Sequence, residues 1–115
     1  MRALVRHLLT RPLVALLLAS ALGAAASAGT VVQPPKSADL VRGKKLFRVN
    51  CGPCHRLAAA GTRGGVGPNL TWERIEYSLG VWTINNGTSL MPAFKGRLTR
   101  TEIRDLAAYL AKVTT

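Results

Sequence analysis

Acidic side chains are the first scarcity. The 115 residues carry 16 Lys and Arg against 5 Asp and Glu, a formal net charge of +11, and no acid precedes Asp39. Such a balance invites a nucleic-acid reading, but the cations are scattered and no nucleic-acid motif accompanies them. Ring side chains are scarce too, with two each of Phe, Tyr and Trp. A chain this short has room for one domain. With so few large side chains it needs something besides its own residues to fill the core. Long apolar runs are missing as well. The longest, residues 12–26, has 15 residues, short of the ~18–20 that span a bilayer as a helix. The glycine-rich stretch at 58–70 matches neither G-x-G-x-x-G nor a P-loop lysine pattern, which excludes a phosphate cradle. No internal repeat is present.

What is there begins with a leader. Arg2, Arg6 and Arg11 precede the apolar run, and Ala26-Ser27-Ala28 closes it. A basic start, a short greasy middle and a small-residue exit predict a secretory signal peptide over 1–28. An uncleaved leader is the rival, and would hold the rest of the chain on the outer membrane face. Removal of 1–28 leaves 87 residues with 13 basic and 5 acidic side chains, a net +8. Residues 29–37, with Pro34 and Pro35, read as an extended linker, and 38–115 as the folded domain.

Cysteine and histidine decide the chemistry by being so few. Beyond the leader there are two cysteines, one histidine and one methionine, and three of the four fall in Cys51-Gly52-Pro53-Cys54-His55. This C-x-x-C-H order is the attachment pattern for haem c. A helical turn there puts residues three and four apart on one face. Both sulfurs then meet the vinyl groups of one porphyrin, with His55 under the iron. Three plainer readings compete. A Cys51–Cys54 disulfide suits an exported chain but closes a tiny loop and ignores His55. A thioredoxin-like pair wants a βαβ setting, and a structural zinc site wants four ligands that are not here.

Periodicity predicts a helix from about Ala38 to Asn50, capped near Ser37 or Asp39. Leu40, Gly43, Leu46, Phe47 and Asn50 share its inner face. Gly43 on that face predicts close approach by another backbone. Residues 58–70 read as a loop, and 71–86 as one or two short helices stopped at Asn85-Asn86-Gly87. The final helix is marked by Thr99, Glu102 and a Leu98–Ile103 staple, with an apolar stripe at Ile103, Leu106, Ala107, Leu110 and Val113 and Tyr109 on its border. The domain reads as all-α.

In this order the pieces resemble a class I c-type cytochrome of the small bacterial monohaem kind. They are Gly43-Lys-Lys-Leu-Phe47, Cys51–His55, Gly67-Pro-Asn-Leu70, Met91-Pro92 with Phe94, and Leu106-Ala-Ala-Tyr109-Leu110. The resemblance implies the cytochrome c fold, with 3–5 short helices around one covalent haem and the first and last helices crossing. It implies that Gly43 and Phe47 meet Leu106 and Tyr109, and that the Pro68 carbonyl accepts the ring N–H of His55. It also implies that Met91 is the distal iron ligand, against the ordinary fate of a core-filling methionine. The implied role is single-electron carriage between redox proteins and not enzyme catalysis; a monomer is expected because no long unpaired apolar face is evident in the sequence. The rivals are a haem-bearing subunit of a larger complex and a catalytic or gas-binding haem protein. Lys44, Lys45, Arg48 and Arg56 around the motif suggest partners with acidic docking surfaces, or else a merely solvated face. Membrane contact is expected only through an uncleaved leader or a membrane-bound redox complex. Trp72 and Trp82 are expected to pack, and Arg63 to be solvated or to pair with a haem propionate.

Overall fold

The computed structural model describes residues 29–114. The leader read at 1–28 lies outside the described residues. An irregular lead-in ends in a turn where the Ala38 N–H donates to the Pro35 carbonyl at 3.0 Å. Three helices follow: α1 (Leu40–Asn50), α2 (Tyr77–Asn86) and α3 (Arg100–Val113), with short 3-10 turns at Ala58–Ala60 and Leu70–Trp72.

Each helix start has a local cause. Asp39 caps α1 by accepting from the Arg42 N–H at 2.9 Å. At α3 the expected capping box forms. Thr99 Oγ1 accepts from the Glu102 N–H at 3.2 Å, and the Glu102 carboxylate accepts from the Thr99 N–H at 2.8 Å. Those bonds from Thr99 hold the Glu102 carboxyl below its ordinary pKa. Thr99→Ala is therefore expected to cost about 1 kcal/mol in denaturant unfolding near neutral pH. A lowered carboxylate pKa contributes stability above the ordinary value and loses it as pH falls through the lowered one. The deficit of the variant should thus shrink in acid.

α3 is the central element. Ile103 and the run Asp105 to Leu110 are buried along it, with α1 packed on one side and α2 on the other. α1 crosses at Gly43, where an added Cβ would run into the Asp105 carbonyl oxygen and come within 2.8 Å of the Tyr109 Cβ. That closeness lets Phe47 reach the Tyr109 ring, with centroids 6.5 Å apart. The inner face of α1 is narrower than its spacing predicts. Gly43 and Phe47 are buried, but Leu40 is 39% exposed. The reason is polar: the start of α1 is held to α3 by Asp105. This buried carboxylate accepts from the Asp39 N–H at 2.9 Å and is ion-paired to Arg42. The pairing satisfies a charge that burial alone would penalise.

The expected helical fold is borne out, with one small addition. Arg56–Leu57 (β1) and Thr62–Arg63 (β2) pair antiparallel, with Arg56 opposite Arg63 and Leu57 opposite Thr62. The chain folds back there through three alanines and Gly61, whose φ of 69° suits glycine. β1 precedes the segment read as loop and β2 lies within it, and the return through that segment brings the two extended dipeptides side by side.

The tryptophans also differ from expectation. Trp72 is 86% and Trp82 60% exposed. Trp72 ends a three-residue turn, which has no inner face to tuck it into. Trp82 lies on α2 away from its buried residues Tyr77, Gly80 and Ile84. Arg63 is exposed on β2.

Candidate functional site

The cysteine motif continues the last turn of α1. The Cys51 and Gly52 N–H groups donate to the Phe47 carbonyl at 2.9 and 2.8 Å. Those of Cys54 and His55 donate to the Cys51 carbonyl at 3.0 and 2.8 Å. Cys51 to His55 thus form the helical turn that the spacing requires. Neither cysteine is disulfide-bonded; Cys51 is buried and Cys54 exposed. Burial, helped by the nearby Cys54, pushes the Cys51 thiol up to about 12.

The following loop wraps back onto this turn. Thr62 Oγ1 donates to the His55 carbonyl at 2.8 Å and accepts from the Leu57 N–H at 3.0 Å. The Gly67 N–H donates to the Cys54 carbonyl at 2.8 Å. Gly67 also lies against the imidazole of His55, since a Cβ there would fall 2.5 Å from Cε1 and 2.8 Å from Nδ1. On the ring's edge, Nδ1 lies 2.9 Å from the Pro68 carbonyl oxygen. A carbonyl can only accept, so Nδ1 carries the proton and Nε2 keeps its lone pair. Gly67 bounds the ring, and Pro68 sets the tautomer and leaves Nε2 free.

Met91 is fixed by a second small loop. The Thr88 N–H donates to the Met91 carbonyl at 2.9 Å, and the Met91 N–H donates to Thr88 Oγ1 at 3.3 Å. Gly87, at φ 67°, makes the turn into it.

All five residues singled out in the sequence, Cys51, Cys54, His55, Pro68 and Met91, line one cavity of about 430 Å³. Its walls are otherwise largely apolar, with Phe47, Leu70, Ile84, Leu106 and Leu110 among them. That size and lining suit an apolar cofactor with few polar contacts. The donor set suits it as well: two unbonded thiols three residues apart, an imidazole nitrogen with a free lone pair and a thioether. Trp72, Trp82 and Arg63 are not among the lining residues, whereas Leu79 and Thr83 of α2 are. A larger depression of about 610 Å³ contains none of the five. Sequence reasoning missed the parts played by Thr62 and Gly67. Glycine density marked the loop and the resemblance gave Pro68 its bond to His55, but nothing in the pattern showed that Thr62 and Gly67 also hold the histidine.

Comparison with known proteins agrees with this geometry. A family described as cytochrome c oxidase, cbb3-type, subunit III matches residues 38–110. Cytochrome c6 from Nostoc sp. is 36% identical over 85 residues, spanning 67% of this chain and 73% of that one. The chain belongs to the c-type cytochromes. Cytochrome c6 from Anabaena variabilis is 38% identical over 80 residues, covering 64% of this cytochrome and 90% of its relative. Among solved structures, the c-type cytochrome SorU from Sinorhizobium meliloti superposes with a TM-score of 0.61 at 34% identity, covering 65% of this chain and 90% of that one. Cytochrome c6 from the diatom Phaeodactylum tricornutum gives 0.55 at 28% identity, covering 67% and 95%. The fold is the cytochrome c fold, and its cofactor is covalent haem c with iron. This cytochrome is an electron-transfer protein that works with redox partners.

Proposed function

We propose that this cytochrome is an exported, monomeric single-electron carrier whose haem is held by Cys51 and Cys54, with His55 and Met91 as axial iron ligands. The bound haem supplies a one-electron Fe(III)/Fe(II) couple. The observation that carries the assignment is the His55–Pro68 bond, in a cavity that also takes in both cysteines and the lone methionine of the domain. By holding the Nδ1 proton, Pro68 orients the ring and raises the basicity of Nε2. Gly67 keeps the ring from tilting, because no side chain stands between it and the loop. Met91 offers a soft, neutral sulfur that favours reduced iron. Phe47, Ile84, Leu106 and Leu110 keep water out of the cavity interior, and α3 ties these walls together so that they move little between redox states.

The export reading rests on the leader pattern of residues 1–28, followed by a linker and then the haem domain from residue 38. Among the described residues no helix is long and apolar enough to cross a membrane. The description of the matched family as an oxidase subunit supports a second reading, in which the same chemistry serves a larger complex. Co-purification with an oxidase would favour it.

Partners with acidic surfaces suit the charge. Lys44, Lys45, Arg48 and Arg56 surround the motif and are exposed. Among the described residues the ion pair present is Arg42–Asp105, which involves none of the four. Raising ionic strength from ~0.01 to ~0.15 M shortens the Debye length from ~30 to ~8 Å. Stopped-flow reduction by an acidic redox partner is therefore expected to slow by roughly tenfold across that range. A flat profile would contradict the docking proposal and leave the haem assignment standing.

A further inference from the structure

The depression of about 610 Å³ lies between α2 and the segment that enters α3. α2 serves two cavities with opposite faces: Leu79, Gly80, Thr83 and Ile84 line the haem cavity, while Trp82, Asn85 and Asn86 line this groove. The far wall supplies Lys95, Arg100 and Arg104, all exposed, and no acidic residue lines the groove. Arg100 is the first residue of α3, where the helix dipole disfavours a cation. Among the described residues none of these three cations has an ion-pair partner, and one stands at the wrong helix end, an unfavourable arrangement in the free protein. An incoming acid relieves that.

We propose that this groove docks an acidic, extended segment of a protein partner, seated on Trp82 and held by Lys95, Arg100 and Arg104. Two features select a polypeptide over a phosphate or a lipid surface. The amide of Asn85 donates to the Val81 carbonyl at 2.9 Å, and that of Asn86 to the Trp82 carbonyl at 2.7 Å. Each amide keeps one N–H and its Oδ1, a donor and an acceptor that a peptide backbone matches with its own C=O and N–H, whereas phosphate oxygens leave the Oδ1 without a donor. The site is also concave, whereas a bilayer presents a broad surface that protruding groups meet. The chain's own leader is not the complement, since it holds no acid. Because the groove uses the back of α2, a partner held here leaves the haem cavity uncovered. This contact then lies apart from the haem face and from the cations around the cysteine motif, which stay free for electron exchange.

The test is a chemical-shift titration of the reduced, isotope-labelled holoprotein with a peptide of repeated Asp-Glu-Leu-Gly units. The largest shifts are expected at Trp82, Asn85, Asn86, Lys95 and Arg104. The double variant Arg100→Glu, Arg104→Glu should weaken the peptide by roughly tenfold with its haem spectrum unchanged. Its melting temperature should not fall, because an acid at the start of α3 suits the dipole, so lost binding cannot be put down to misfolding. Shifts centred instead on Val66, Leu90 and Pro92 would overturn the proposal, as would unaltered affinity in the double variant. Equal binding of polyphosphate would assign the groove to inorganic anions. Preferential broadening of the same signals by phosphatidylglycerol vesicles would assign it to a membrane. Either result overturns the peptide reading.

Discussion

Gly43→Val is expected to destabilise the folded cytochrome by about 2–4 kcal/mol, measured as a lowered guanidinium midpoint at unchanged haem content. Helix propensity alone points the other way, since glycine inside a helix costs ~0.5–1 kcal/mol relative to alanine. The crossing decides the sign. A Cβ at position 43 meets the backbone carbonyl of Asp105, whose carbon would be 2.9 Å away, and the Tyr109 Cβ at 2.8 Å. These are parts of a helix and not the far end of a flexible side chain, so relief requires α1 and α3 to part. Parting them exposes Phe47 and Leu106, both fully buried, and stretches the bonds that satisfy the Asp105 carboxylate. Overpacking costs ~1–3 kcal/mol, and a buried acceptor losing its donor adds ~1–3. Gly43→Ala should fall between wild type and the valine variant. A valine variant within ~0.5 kcal/mol of wild type would mean that the crossing is not tight.

Met91→Ala is expected to lower the haem midpoint potential by on the order of 0.1 V or more, within the ~0.8 V range that axial ligands span. It should also let carbon monoxide bind the reduced protein. The hydrogen bonds of the Thr88–Met91 loop use main-chain groups of residue 91, so truncating its side chain leaves the loop closed. The effect then reports on the sulfur and not on local unfolding. Met91→His should lower the potential while keeping carbon monoxide out, since it restores a ligand of harder character. An alanine variant with unchanged potential and no carbon monoxide binding would return Met91 to the role of core filler.

The parts of the fold that local pattern reveals were legible in the sequence. Thr99 and Glu102 are three residues apart and announce their capping box, and Gly43 in an apolar face announces the crossing. The cysteine motif was legible because cysteine and histidine are so few that inventory points to Cys51, Cys54 and His55, whereas Met91 and Pro68 entered through the family resemblance. What stayed hidden is long-range or geometric. Asp39 and Asp105 are 66 positions apart, and no periodicity links a helix cap to a buried carboxylate on another helix. Leu40 looks like a core residue until that polar clamp is seen to occupy its end of the interface. The two-residue strands are too short to show alternation. Trp72 sits in a turn of three residues, where side-chain type says little about direction.

The absorption spectrum of the dithionite-reduced wild-type protein, with and without carbon monoxide, tests the central claim most directly. With His55 and Met91 as the proposed axial ligands, iron would have no open position, and the spectrum should not change on adding the gas. Rapid formation of a carbon monoxide complex would contradict it, remove Met91 from the ligand set and make a gas-binding or catalytic haem protein the better reading.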